Sequence, residues 1–541
     1  MRGLSALVAA ALAVTTFSPV PAHAGNVPPE FGDDWDDPRT AAPPIDTPDV
    51  ASCEVPIVDH RFDDFEPFTG TFVPPTECGD EWSMVVLRLD GSVAGRQYDR
   101  LGQLDIGGVP VFKTSTPEPS PQGITWSVER DVTQYAPLLA STQPTLMSLG
   151  NVVDDVHDGV LDVRVSLTFY EASSSAPAPD VPDRLLPLSD QDDSTPDLRG
   201  TLTVPTNSER LIADVYATGS GGGCEEFWYL TAPPQTGYSC AAPDGPYREV
   251  QVLIDGQIAG IAAPYPHIYT GGWSNPYLWY TIPAPRAFDL EPLRYDLTPY
   301  LGLLNDGAAH DVAVRVVGMP ADAAGWSTPV AFRVWQDEES QVVNGGVLTS
   351  ETTPLTNDIT ILASRHTRVQ VEAGRQHTAT GWLETSHGSV MTTVDRTIGN
   401  MSTHSWAPGE NPDALRAEWF DMETRTVLSN ESDVDVTQVD RTFSVNGRIG
   451  IDDENRLTTT ITLLDEREVL HTAPSGRVRH LKVRDSFLGA AAFDIDQPRP
   501  DRRGVGVSQN RYVVVSDTAG TCYDRVIRSR NGYVTIDRDR C

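Results

Sequence analysis

The chain has 541 residues and carries a formal net charge of −36 at pH 7. Nucleic acid and anionic lipid both ask for a basic surface, so a surplus of acid this large argues against either as a partner. The length accommodates about three domains of ordinary size.

The first 24 residues, MRGLSALVAAALAVTTFSPVPAHA, carry one Arg, a short apolar run and an Ala22-His23-Ala24 ending. That is the pattern of a secretory signal peptide cleaved near Ala24, and it predicts a secreted, extracellular protein. No later apolar run is long enough to span a bilayer. Residues 25–50 are acidic and Pro-rich and are expected to be a disordered lead-in. A first unit, 51–172, follows, with WSMVVLRLD and LDVRVSLTFY alternating apolar and polar residues. A Ser-, Pro- and Asp-rich run from Ser173 marks a linker over 173–195. The second unit, 196–342, contains EVQVLIDG and HDVAVRVVG, and the third, 347–541, opens with strands such as RVQVEAG. Asp90-Gly91, Gly107-Gly108, Asp158-Gly159, Asp255-Gly256 and Asp306-Gly307 read as tight turns. Long helical patterns are scarce, so the class is all-β: two tandem jelly-roll-like antiparallel sandwiches plus a C-terminal β-rich domain.

The first two units repeat one order of features. LDIGGVPVF, then Asp131-Val132-Thr133-Gln134-Tyr135, then HDGVLDVRVSL in the first correspond to VLIDGQIAGI, Asp296-Leu297-Thr298-Pro299-Tyr300 and NDGAAHDVAVRV in the second. In this register Arg96-Gln97-Tyr98-Asp99-Arg100 matches Glu225-Glu226-Phe227-Trp228. Sandwiches packed side by side would bring these two carboxylate clusters to a shared cleft, a favoured place for a ligand. The six cysteines fall into close-spaced pairs. Fifteen connectivities are possible; Cys53–Cys78, Cys224–Cys240 and Cys522–Cys541 are favoured because each closes a local loop. Cys224–Cys240 would also clamp the Glu pair.

Other chemistries find less support. No H-E-x-x-H or C-x-x-C is present, and Asp33 to Asp37 lacks the spacing of a calcium loop, so neither metal nor organic cofactor is expected. No G-x-S-x-G occurs, and Gly219 to Gly223 lacks the Lys of a phosphate loop. Two carboxylates can divide acid and base work on one bond. Tyr265, Tyr269, Trp273, Tyr277, Trp279 and Tyr280 could stack on sugars, though the core is the commoner fate of a single Trp. The set suits hydrolysis of a glycan-bearing substrate, and by itself leaves open whether a sugar–sugar or a sugar–protein bond is cut.

GRQYDRLGQLDIGGVPVFKTSTPEPSPQGITWSVERDVTQY, CEEFWYL, YPHIYTGGWSNPYLWY and FDLEPLRYDLTPYLG resemble the motifs of the peptide-N4-(N-acetyl-β-glucosaminyl)asparagine amidase A family, from about residue 50 past residue 400. A fainter likeness links the chain to peptide:N-glycosidase F, a pair of eight-stranded jelly rolls. The resemblance implies a secreted amidase that cuts the amide between Asn and the first N-acetylglucosamine, turning Asn into Asp. It implies that Asp99 and Glu226 are the catalytic acids, that Arg100 is the arginine beside the aspartate, and that Arg286 contacts substrate. A third acid of the fainter relative falls near Asn151, which leaves Glu118 or Glu225 as helper. Arg96, Trp273 and Trp279 complete the expected substrate-binding set. N-glycosylated peptides or proteins are the expected partners of a monomer. An endoglycosidase or a non-catalytic glycan-binding protein are the alternatives.

Overall fold

A computed structural model describes residues 34–541 apart from 193–195, 222, 322, 324, 431, 499–500 and 518–521. The signal peptide and residues 25–33 of the lead-in lie outside the described residues. Antiparallel strands dominate. Ser52–Phe62, Leu161–Glu171, Trp82–Val93 and Ile124–Asp131 form one sheet, and Phe68–Phe72, Gln143–Leu149, Leu101–Ile106 and Val109–Ser115 form its partner. Alternation along these strands turns Val85, Leu87 and Leu89 of the first sheet and Leu104, Ile106 and Met147 of the second into one core.

The second sandwich repeats the plan. Ser189–Asp192, Leu198–Leu202, His310–Val317, Glu249–Ile254 and Gln257–Ala262 face Leu293–Asp296, Ser208–Val215, Val330–Gln336 and Arg184–Pro187. Two of these strands, Arg184–Pro187 and Ser189–Asp192, come from the stretch expected to be linker. Leu185, Leu186 and Leu188 give it an apolar side to bury, so it joins the sheets instead of spanning between them.

The internal repeat is visible as matched geometry. Gly107-Gly108 and Asp255-Gly256 both have positive φ at the two central positions, as a two-residue hairpin turn needs. The Asp131 carboxylate accepts the Thr133 N–H at 2.9 Å, and Asp296 accepts that of Thr298 at 3.0 Å, each opening a short helical turn. Two of the expected turns are something else. Asp90-Gly91 lies inside Trp82–Val93, where the Trp126 ring occupies the space that a side chain on Gly91 would need. Asp158-Gly159 is coil, held because the Gly159 N–H bonds the Arg96 carbonyl at 2.9 Å.

From Asn344 onward the chain forms one 11-stranded antiparallel sheet with strands of up to 19 residues. Its inner face meets the second sandwich and its loops: Trp279 packs on Phe487, Trp228 on Trp419 and Tyr265 on Phe443. The three cysteine pairs are bonded as the spacing suggests. Cys53–Cys78 ties Ser52–Phe62 to the loop that enters Trp82–Val93, and Cys522–Cys541 ties the start of Cys522–Arg530 to the C-terminal residue. The lead-in departs from expectation. From Asp34 it is an ordered strap across the junction of sheet and sandwiches, because its few apolar and Asp side chains find partners. Trp35 is buried and stacks on Tyr280 with ring centres 4.1 Å apart. Asp37 accepts the Thr125 N–H at 2.7 Å, and Ala41, fully buried, donates its N–H to Asn510 at 2.6 Å.

Candidate active site

Asp99 sits in the coil between Trp82–Val93 and Leu101–Ile106. Buried Gln97 fixes that coil: its amide donates to the Val152 and Gly159 carbonyls at 2.9 and 3.0 Å, and its Oε1 accepts Arg100 at 2.8 Å. The Arg100 Nε also donates to Asn151 Oδ1 at 3.3 Å. Asn151 is fully buried and donates to Phe62 and Gly159, so the position at which the fainter likeness places an acid is a structural tie.

Glu118 lies on the buried segment that follows Val109–Ser115. Its Oε1 and the Asp99 Oδ1 face each other across Gly271 of the second sandwich; a methyl group on Gly271 would stand 3.0 and 2.9 Å from them. Glu226 comes from a turn in the second sandwich in which its own N–H bonds the Gly223 carbonyl at 3.1 Å. The Cys224–Cys240 disulfide anchors this turn. The other four cysteines, Cys53, Cys78, Cys522 and Cys541, staple the first sandwich and the end of the C-terminal sheet. None of those four lies on a segment that presents a site carboxylate, so they are structural residues and not site residues.

Burial pushes the Asp99 carboxyl up to about 7, with the negative charge of Glu226 as the next cause. Its own N–H, Arg100 and the Gly271 N–H oppose that shift. The Tyr229 and Tyr269 phenols, both buried, line the Glu226 side, and both are pushed upward by burial and then by that charge.

Thus Asp99, Arg100, Glu118 and Glu226 are brought together. The other expected residues are not. Glu225 is held inside the second sandwich, where Arg248 grips it through Nη2 and Nε at 2.7 and 2.9 Å and Trp326 donates to it at 2.7 Å. It anchors the turn and does not face a substrate. Trp273 and Trp279 are buried, the latter donating to Gly272 at 2.9 Å and packed on Phe487, so neither offers a face to a sugar. Arg286 is held in an ion pair with Asp465 of the C-terminal sheet, between Tyr265 and Phe443. It lines a separate cavity of about 560 Å³ beneath the strap. Arg96 donates its backbone N–H to Asp158 at 2.7 Å, and the cation that acts on Asp99 is Arg100.

Sequence reasoning missed Tyr229, Gly271 and Tyr98 as site residues. Tyr98, 47% exposed and packed on His157 at 4.8 Å, is the open ring beside Asp99. Adjacency to Asp99 in RQYDR was the available signal. Among the described residues one trio, Glu209, Asp337 and His387, could approach a metal. Asp337 already accepts both the N–H and the hydroxyl of Ser386, at 2.6 and 2.7 Å.

The profile of the family described as peptide N-acetyl-beta-D-glucosaminyl asparaginase amidase A matches residues 39–352. The chain belongs to this family. Asp99, Glu118, Glu226 and Gly271 all fall inside the matched stretch. A curated relative, peptide-N4-(N-acetyl-beta-glucosaminyl)asparagine amidase A of Prunus dulcis, is 29% identical over 382 residues, which cover 64% of this chain and 66% of the relative. Solved structures of PNGF-II in space groups C2 and P21 align over 53% of this chain at 11% identity, with TM-scores of 0.36 and 0.35, and cover 65% and 66% of those chains.

Proposed function

We propose that this member of the amidase A family is a secreted hydrolase of the amide that joins an Asn side chain to the first N-acetylglucosamine of an N-glycan. The Asp99–Glu226 carboxylate pair at the junction of the two sandwiches carries this reading. A group that titrates near neutrality can both accept and return a proton. Asp99 takes a proton from the attacking water as its oxygen adds to the amide carbon, then delivers it to the departing nitrogen as the C–N bond breaks. Glu226 hydrogen-bonds the linkage and orients the sugar. Arg100 holds Asp99 in register. The products are a peptide with Asp in place of Asn and a glycosylamine that later loses ammonia to water. Tyr98 is the platform for the sugar next to the bond. The N-terminal signal pattern, the acidic surface and three disulfides support export, and N-glycosylated peptides or proteins are the substrates of a monomeric enzyme.

The test is mass spectrometry of one N-glycopeptide incubated with purified residues 25–541 in oxygen-18 water. Release of the whole glycan with one labelled oxygen in a new Asp is the expected result. A peptide whose Asn keeps one sugar would assign the carboxylates to a glycosidase, and binding without turnover would overturn both.

A further inference from the structure

The motif Tyr269-Thr270-Gly271-Gly272-Trp273-Ser274-Asn275-Pro276 carries a backbone feature that core packing alone does not require. Gly271 has an ordinary conformation, φ −96° and ψ −1°, so it is not glycine for the sake of its backbone. It is glycine for space, since any side chain would enter the gap between the Asp99 and Glu118 carboxylates. Its N–H is also one of the donors to Asp99. Two residues on, Trp273 has φ 55° and ψ 28°, a left-handed conformation that a bulky residue adopts only when its surroundings impose it.

The surroundings belong to the C-terminal sheet. The Trp273 ring lies on Gly447, where a Cβ would come within 2.5 Å of its Cη2. Leu278 lies on Gly489 in the same way, 2.9 Å from the place of a Cβ, and Tyr277 lies on Gly504. Three glycines, on Asp433–Ile451, Val478–Asp494 and Gly504–Ser516, thus form sockets for one loop. Asn275 donates to Thr459 at 3.2 Å, and the Ser508 hydroxyl donates to the Leu278 carbonyl. At its other end the loop is tied to the first sandwich by the Thr270 hydroxyl, 3.2 Å from the Thr116 carbonyl.

We propose that the C-terminal sheet is part of the catalytic apparatus: by seating Trp273 on Gly447 it aims the Gly271 N–H at Asp99, with Gly271 as the positioning residue. The inference rests on the reading above only in taking Asp99 as the reacting group. The groups facing Asp99 are Glu226 and Glu118 from two loops, Arg100 from its own, and Tyr269 and the Gly271 N–H from the loop held by the sheet.

The test uses residues 25–541 carrying Gly447→Leu, Gly271→Ala or, as a control, Gly399→Ala, which crowds Phe420 elsewhere in the same sheet. Carboxyl titration by infrared difference spectroscopy, with Asp99→Asn to assign the band, is read without substrate. Losing the N–H should move the Asp99 titration upward by about one pH unit in Gly447→Leu, since a donor to the charged form is gone. On a glycopeptide, kcat should fall at least about tenfold with KM within about twofold, as expected for an interaction made in the transition state. Gly399→Ala should lower the melting temperature and leave the titration in place. The proposal is overturned if Gly447→Leu loses melting temperature while its Asp99 titration stays at the wild-type position, or if the control shifts it equally. Should Gly447→Leu fail to fold, Gly271→Ala decides: wild-type kcat and titration there would also overturn it. A wild-type protein inert on every glycopeptide would instead refute the function, and the titration would still judge the positioning.

Discussion

Burial first, and the Glu226 charge second, push the Asp99 carboxyl up to about 7, so it titrates near neutral pH. Two predictions belong to this residue. Asp99→Asn should lower kcat on a glycopeptide by about 1,000-fold, the scale of positioned acid–base catalysis. Its effect on stability has the opposite sense. The unfolded Asp99 loses its proton near pH 4, whereas the folded one keeps it to about 7. Between those values the folded state binds more protons, so this group's contribution to stability falls as pH rises and levels off above about 7. The Asn variant should therefore melt higher than wild type at pH 8, with the gap closing towards pH 4; an equal gap at both pH values would contradict the burial account. Glu226→Gln removes the like charge and should move the Asp99 limb of the pH–kcat/KM profile down, which the same rate measurements would reveal. That the Asp99 and Glu226 carboxylates would meet was legible in the sequence, since RQYDR and CEEFW stand at matching places in two repeats. The roles of Trp273 and Trp279 were not. A run of aromatics has the same pattern whether it is a sugar platform or a buried clamp, and the sheet that buries these two begins more than 60 residues later in the chain.

At the scale of elements, the turn that presents Glu226 depends on its neighbour. Glu225 and Arg248 make an ion pair with both charges out of water, with Trp326 donating to the Glu225 carboxylate, and a lone charge left there is costly. Glu225→Ala should cost about 3–5 kcal/mol in urea unfolding, chiefly by stranding Arg248. It should also lower kcat, because Glu226 loses the anchor beside it. Glu225→Ala combined with Arg248→Met should recover most of the stability but not the rate. Recovery of both would mean that Glu225 does not position its neighbour. The sequence showed the Gly107-Gly108 and Asp255-Gly256 hairpins and the Asp-x-Thr turns of the repeat, because these are local devices in which the residue type sets the backbone. So are the cysteine pairs: Cys53 with Cys78, Cys224 with Cys240 and Cys522 with Cys541 each close a short loop, and short spacing was the available signal. The sequence misled at Asp90-Gly91, where the deciding contact is Trp126 on a neighbouring strand. It also misled at 184–192, where a Pro- and Asp-rich stretch conceals three leucines with a sheet edge to pair with.

At the scale of the molecule, the apolar clusters cross the boundaries of the three units found along the sequence: the second sandwich's own cluster takes in Ala379 and Leu383 of the C-terminal sheet. One continuous apolar cluster runs from Val85 and Leu104 of the first sandwich through Trp228, Trp273 and Trp279 to Trp419, Phe443 and Phe487 of the C-terminal sheet. Periodicity within each strand signals a buried face but not which surface covers it, so this fusion could not be read in advance. The ordered strap crosses the same junction, with Trp35 on Tyr280 and Ala41 on Asn510. Units that share a core lose each other's burial when one opens, and so should melt together. Calorimetry of residues 25–541 should therefore show one transition in which the calorimetric and van't Hoff enthalpies agree within about 20%. Separate transitions for 51–172 and for the rest would show that the interfaces add little to either. Trp35→Ala refines the test. Opening a cavity under a large aromatic costs about 3 kcal/mol. If the strap is part of the shared core, that loss should move the whole transition down without splitting it. If the strap is a separate clasp, a small early transition should break away while the main one stays in place.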